Sequence, residues 1–204
     1  NEPEGDFASG DGTQNNPYVI ANTTHIQNMS KVLIGKQTTY FVLSADIDMQ
    51  GIKWTPLNGD GPYEKWIIFD GRNHVIRNLT CDSGSYPSFF GVLCGECKNV
   101  GFVDANISST NQGIGIIAGY VGLNSGAVGF TGKIINCYTT GILKGSGAAG
   151  GIGGIFGGNG RIENCYTTAT IIDQINADNG KAGGIIGRFH AGNTTSYIEN
   201  CYVS

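Results

Sequence analysis

The side chains with chemical potential are few and scattered. Asp46-Ile47-Asp48 and Asp70-Gly71 supply carboxylates that could pair. Such a pair could serve as acid and base in glycan cleavage, or as calcium ligands. Asp48 opens no run of oxygen ligands like that of an EF-hand loop. Acids next to Gly and Asn also stabilise turns without any chemistry. His25, His74 and His190 stand alone in the sequence. Cys94-x-x-Cys97 has the spacing of half a zinc site, yet no second pair and no matched histidines accompany it. Gly145–Gly150 (GSGAAG) spells G-x-G-x-x-G. A phosphate loop needs a helix directly after it, and here more glycine follows. The residues therefore point to no catalytic group, no metal and no cofactor, and Gly145–Gly150 reads as a loop.

What could position these residues is a repeat. Ile134–Thr140 (IINCYTT), Ile162–Thr168 (IENCYTT) and Ile198–Ser204 (IENCYVS) match closely. Ile76–Asp82 (IRNLTCD) and Cys97–Val103 (CKNVGFV) read as weaker copies. All five share an asparagine: Asn78, Asn99, Asn136, Asn164 and Asn200. A Gly/apolar phrase precedes the last four, as in Gly154-Ile155-Phe156-Gly157. The shortest Asn-to-Asn spacing, 21 residues, sets the expected minimal unit. Longer spacings hold polar or Gly-rich patches, Gly122–Lys133 and Asp173–Lys181, which read as loops.

Period-2 patterning with β-branched residues predicts strands. A unit this short cannot bury a face by itself and must stack on its neighbours. The fold expected is all-β: a right-handed parallel β-helix, a solenoid, with a short N-terminal capping helix. The five asparagines should form a structural ladder at equivalent corners, since Asn tolerates left-handed backbone angles and stacked copies can bond to one another. Cys137, Cys165 and Cys201 should form a buried ladder in which Cys acts as a small apolar residue. Stacked Cα atoms fall within disulfide range, but their parallel Cβ vectors aim the sulfurs poorly, so free thiols are expected. Tyr138, Tyr166 and Tyr202 then point outward as an exposed aromatic ladder, the candidate ligand-binding surface together with the two long loops.

Composition agrees. The chain has 204 residues with 34 glycines, 24 isoleucines and only 14% charged residues. Those values exclude a disordered chain, and the absence of a Gly-X-Y period excludes collagen. No apolar run is long enough to span a membrane. The net charge of −4 argues against nucleic acid as a partner. The chain starts at Asn1 rather than Met, as a processed or trimmed chain would. Residues 1–6 read as a polar tether that an export anchor could precede. Residues 7–204 read as one β-helix domain, with cap and first rungs over 7–88 and repeats over 89–204. Glycine divides there, nine before residue 89 and 25 after.

In the first part, Thr24-His25-Ile26-Gln27 fits a capping box, predicting a helix over His25–Ile34 with Gly35 as its stop. Tyr40–Leu43 and Trp66–Phe69 read as strands. The helix should cover the open end of the coil, because an uncovered rung is a sticky edge.

The order Phe7–Ile20 (FASGDGTQNNPYVI), helix, Tyr40–Gly51 (YFVLSADIDMQG), Trp54-Thr55-Pro56-Leu57 and Ile68–Leu79 (IFDGRNHVIRNL) resembles bacterial surface β-helix proteins carrying GLUG motifs. Such motifs also occur in relatives of immunoglobulin A metallopeptidases. The Gly-Gly-Ile-x-Gly and Asn-Cys-Tyr phrases resemble GLUG repeats themselves. The resemblance implies a secreted or cell-surface location, with outer-membrane anchoring as one form of it. It implies structural aspartates at strand-to-turn junctions, and peptidase chemistry in a separate domain. No His-Glu-x-x-His occurs here.

The function expected is a non-catalytic, adhesin-like module that binds a host or cell-wall ligand, protein or glycan. The alternative is a carbohydrate-active β-helix enzyme, a polysaccharide lyase or glycoside hydrolase. The last unit, Cys201-Tyr202-Val203-Ser204, should pack on a further domain or on another copy.

Overall fold

The computed structural model describes residues 5–110, 113–123, 131–158, 160–173, 181–190 and 195–204. The protein is mostly β, with strands in parallel sheets and one helix, α1 (Thr23–Val32), among the described residues. Tyr18–Ile20, Thr38–Leu43, Trp66–Arg77, Phe90–Ser109, Tyr138–Gly145, Tyr166–Thr167 and Tyr202–Val203 lie side by side in that order within a 16-stranded sheet. Gly113–Gly115, Ala148–Gly150 and Lys181–Gly183 form a second sheet of three strands.

The pairings stack like on like. Phe41, Phe69, Cys97, Ile134, Ile162 and Ile198 occupy one level on six successive strands. Except at Ile198, every member is buried, so this column is core. Ile47, Ile76, Phe102, Thr139, Thr167 and Val203 form a second column. Its two threonines are fully buried and satisfy each other: Thr139 Oγ1 lies 2.7 Å from Thr167 Oγ1 and 2.8 Å from Gly151 O. A hydroxyl in an apolar column is tolerated only when it is hydrogen-bonded in this way.

The register corrects the repeat unit. Trp66 faces Cys94 and Ile134 faces Ile162, each 28 residues on, while Cys97 faces Ile134 after 37. The 21-residue spacing is therefore not a unit. Asn78, expected in one ladder with the other four asparagines, belongs elsewhere. Arg77 is level with Val103, and the Asn78 N–H donates to Val103 O. This puts Asn78 level with Asp104, and both residues hold left-handed angles, φ 57° and 56°. At the level of Asn99 the earlier unit instead has Gly71–Asn73, a longer turn inserted between the paired residues Asp70 and His74. The Ile-x-Asn phrase recurs because two bends in each unit need the same left-handed residue.

Helix α1 starts two residues earlier than the capping box predicted. Asn22 is the N-cap, its side-chain oxygen accepting from the His25 N–H at 2.9 Å. Thr24 lies inside the first turn, because the Asn22 side chain caps the His25 N–H and starts the helix before Thr24 can act as N-cap. The helix stops at Val32, and Ile34 is 56% exposed. Ile26 and Met29 are fully buried, and α1 packs beside Tyr18–Ile20, the outermost strand of the main order. The Gly145–Gly150 stretch, expected to be a loop, is mostly strand: Gly145 ends Tyr138–Gly145, only residues 146–147 bend, and Ala148–Gly150 is the next strand, with Gly153–Phe156 rather than a helix after it. At the far side, Tyr197–Glu199 and Tyr202–Val203 each pair along one edge, with Ile198 37% and Val203 52% exposed.

Candidate functional site

One outward position repeats an aromatic ring. Tyr138 is level with Tyr166, and Tyr166 with Tyr202. The rings stack nearly parallel, with centroids 5.1 Å apart at 6° and 5.0 Å apart at 9°. Parallel pairing dictates this, since the strand spacing carries identical side chains to near-stacking distance. The column stops at Gly101, level with Tyr138 on its other side. A Cβ on Gly101 would lie 2.2 Å from Tyr138 Cζ, so the first ring rests directly on glycine backbone. Burial, then the neighbouring Tyr138 and Tyr202, raise the Tyr166 hydroxyl pKa. Because the faces cover one another, the column offers ring edges and hydroxyls rather than a flat platform. Tyr202, the outer ring of the stack, is 58% exposed.

Two residues before each tyrosine stands an asparagine. Asn99, Asn136, Asn164 and Asn200 hold φ of 51–53°. Their amides are linked: Asn200 Nδ2 donates to Asn164 Oδ1 (3.2 Å), Asn164 to Asn136 (3.2 Å) and Asn136 to Asn99 (3.1 Å). Directly after each asparagine lies the inward residue, Val100, Cys137, Cys165 or Cys201. Cys137 and Cys165 are 1% exposed and Cys201 is half-buried. Burial drives the Cys137 and Cys201 thiol pKa upward, and for Cys165 the neighbouring Cys137 is the larger cause. Cys94 and Cys97 fall in different apolar clusters, Cys94 with Val92, Tyr120 and Ile155, Cys97 in the main core. Burial lifts the Cys94 thiol to about 12.

The carboxylates are occupied with hydrogen bonds to local turns and to residues about 29 positions on. Asp46 Oδ1 accepts from the Val75 N–H at 3.0 Å and lies 3.2 Å from His74 Nδ1. Asp48 Oδ1 accepts from Asn78 Nδ2 (2.7 Å) and the Gln50 N–H (3.0 Å). Asp70 Oδ1 accepts from Asn99 Nδ2 (3.0 Å) and the Arg72 N–H (2.9 Å). The Val75 amide lowers the Asp46 pKa, and the Asn78 amide does the same for Asp48. The three histidines are also engaged. His25 Nδ1 accepts from the Ala21 N–H, His74 meets Asp46, and His190 Nδ1 lies 2.7 Å from the Tyr120 hydroxyl. Among the described residues no cluster of His, Cys, Asp and Glu is suited to a metal.

Most of the two long loops expected beside the tyrosines, residues 124–130 and 174–180, lies outside the described residues. Sequence reasoning missed the Tyr120–His190 contact, which joins residues 70 positions apart. It also missed a cleft of about 270 Å³ between α1 and residues 53–60.

Comparison with known proteins places this geometry. No family model matches the chain. A crystal structure of a "putative immunoglobulin A1 protease" from Bacteroides ovatus superposes on 98% of this chain with a TM-score of 0.92 at 52% identity. This chain is also 30% identical, in an alignment of 138 residues that covers 50% of it, to a "Putative Gly-rich membrane protein" of Evansella cellulosilytica. The chain spans 60% of the former protein and 15% of the latter. No helix among the described residues is long and apolar enough to cross a membrane.

Proposed function

We propose that this chain is a right-handed parallel β-helix, built of GLUG-type repeats, that acts as a non-catalytic, adhesin-like module at the cell surface. Parallel pairing of each unit with the next supports the architecture, and the general handedness of parallel crossovers supplies its sense. The names of both similar proteins, a protease aimed at an immunoglobulin and a membrane protein, support the location. The observation that carries the binding reading is the outward column Tyr138–Tyr166–Tyr202 beside the asparagine ladder. It presents hydroxyls and amides about 5 Å apart, the strand spacing, in which a periodic glycan or an extended protein segment can be matched group by group.

The non-catalytic part rests on Asp46, Asp48 and Asp70, each of which is engaged by a structural donor about 29 residues on, the Val75 N–H, the Asn78 amide and the Asn99 amide. The protease activity in the Bacteroides protein's name is not assigned to this segment, which has no His-Glu-x-x-His. The test is an array of host proteins and glycans probed with wild type and with Tyr138→Ser/Tyr166→Ser. Binding that falls at least about tenfold in the variant supports the reading. Binding indifferent to both substitutions removes the tyrosine column from it. Release of reducing ends from a polysaccharide panel would replace the module with the enzyme.

A further inference from the structure

The tyrosine column is a ruler as well as a surface. Its rings recur at 5.1 Å and 5.0 Å. A second hydroxyl row stands two residues after each ring: Thr140 is half-buried, and Thr168 and Ser204 are exposed. Thr139 and Thr167, between the rows, are fully buried, so both rows lie on the outer side of their strands. Because the tyrosine faces cover one another, the rows present hydroxyl groups, repeated once per strand.

That period selects between the two kinds of chain that could lie along it. An extended peptide advances about 3.3 Å per residue, so side chains on one of its faces recur about every 6.6 Å. Three residues come back into step after two ring spacings, but the third points away, because successive side chains alternate. A polyproline-type segment returns to one face about every 9.3 Å and passes over the middle ring. Tyr138 and Tyr166 lie on strands paired on both sides, which closes them to a peptide added as a further strand. A pyranose in an extended, equatorially linked polysaccharide occupies one such interval, and its hydroxyls donate and accept as those of tyrosine and threonine do.

Charge narrows the class. Neither hydroxyl row carries any. On the other side of the asparagine ladder Glu163 and Glu199 stand level, and Arg161 ion-pairs with both. Two carboxylates against one guanidinium disfavour a polyanion. We infer, resting on the reading of the tyrosine column as the binding surface, that its ligand is a neutral, extended polysaccharide laid across the strands, one pyranose per tyrosine.

The test titrates cellotriose, xylotriose, β-1,4-mannotriose and triacetylchitotriose, each beside its monosaccharide, into the chain carrying ¹³C-labelled tyrosine. Trigalacturonate and a proline-rich peptide are the acidic and peptide probes. Tyr166→Phe keeps the ring stack and removes only the middle hydroxyl. A neutral trimer is expected to shift the ring signals of Tyr138, Tyr166 and Tyr202 together and saturably, at least about tenfold more tightly than its monosaccharide. Tyr166→Phe should weaken that binding at least about threefold. The proposal is overturned if no neutral trimer shifts these signals, if trimer and monosaccharide bind equally, or if Tyr166→Phe changes nothing. Tighter binding of trigalacturonate or of the peptide also overturns it. Host-protein binding that is lost in Tyr138→Ser/Tyr166→Ser, with no trimer bound, rejects the glycan alone and leaves the column as a binding surface. Tyrosine-independent binding of every ligand removes both.

Discussion

Asn99 Nδ2 donates to Asp70 Oδ1 at 3.0 Å, and this bond terminates a chain of four that all run the same way. Each asparagine gives its amide hydrogen toward the N-terminal side, and Asn99, Asn136 and Asn164 each receive one from the asparagine after them. A carboxylate suits the last place because it only accepts, and a charged acceptor strengthens the bond it receives. The ladder thus has a direction written into its residue types.

The ladder can be separated from the backbone angle by two substitutions at one position. Asn136→Ala removes two ladder bonds and puts a Cβ penalty on φ 53°. The expected loss is about 1–2 kcal/mol. Asn136→Gly removes the bonds but accepts the angle, so its loss should be smaller. Urea midpoints measure both. Equal losses would mean that the left-handed angle contributes nothing and the amides carry the effect alone.

How far the sequence reached depended on which residues recur. The columns through Ile134, Asn136, Cys137 and Tyr138 were legible because the same letters return in three closely matched phrases. Asn78 misled because a second bend in the unit calls for the same left-handed residue, so identical chemistry appeared at a different level. The cap of α1 was misplaced because Asn22 and Thr24 are both good caps, and only the hydrogen bond to His25 decides between them. The cleft between α1 and residues 53–60 brings together segments distant in sequence, and no periodicity announces it.

Acid should loosen the N-terminal units. Asp46 and Asp48 both have folded pKa values below 3.8, Asp46 because it accepts from the Val75 N–H and Asp48 because it accepts from the Asn78 amide. For a depressed carboxylate the stabilisation is fully present above the unfolded value and is lost as pH falls through the folded one. Stability should therefore be level at neutral pH and decline from about pH 4 downward. Asp46→Asn should flatten part of that decline, as measured by urea midpoints between acid and neutral pH. An unchanged acid limb in this variant would remove Asp46 from the account.

Thiol reactivity should be graded along the cysteine column. Only the thiolate reacts readily, and burial opposes its formation. Cys137 and Cys165 are 1% exposed, while Cys201 is half-buried. A thiol reagent on the native chain should modify Cys201 first and leave Cys137 and Cys165 unreacted until the fold opens. Denatured, unreduced protein should then titrate all six cysteines. Peptide mapping after a short pulse reads the order, and a disulfide count above zero would reject the free-thiol expectation.

Gly101 and Tyr138 offer a sharper test of the aromatic column. A Cβ at Gly101 would fall 2.2 Å from Tyr138 Cζ and 2.5 Å from its hydroxyl, too close for any real contact. Gly101→Ala must therefore push the ring aside and disturb its stack with Tyr166 at that end. The expected cost is about 1–3 kcal/mol, typical of overpacking, with a loss of near-ultraviolet tyrosine dichroism. Tyr138→Ser should cost about 0.5–1.5 kcal/mol through the lost stacking. In the double variant the alanine meets no ring, so most of the Gly101→Ala penalty should disappear, and the cycle should show a coupling of at least about 0.5 kcal/mol. If the alanine costs as much with serine at position 138 as with tyrosine, the glycine serves the strand backbone and not the ring, and the column ends there for another reason.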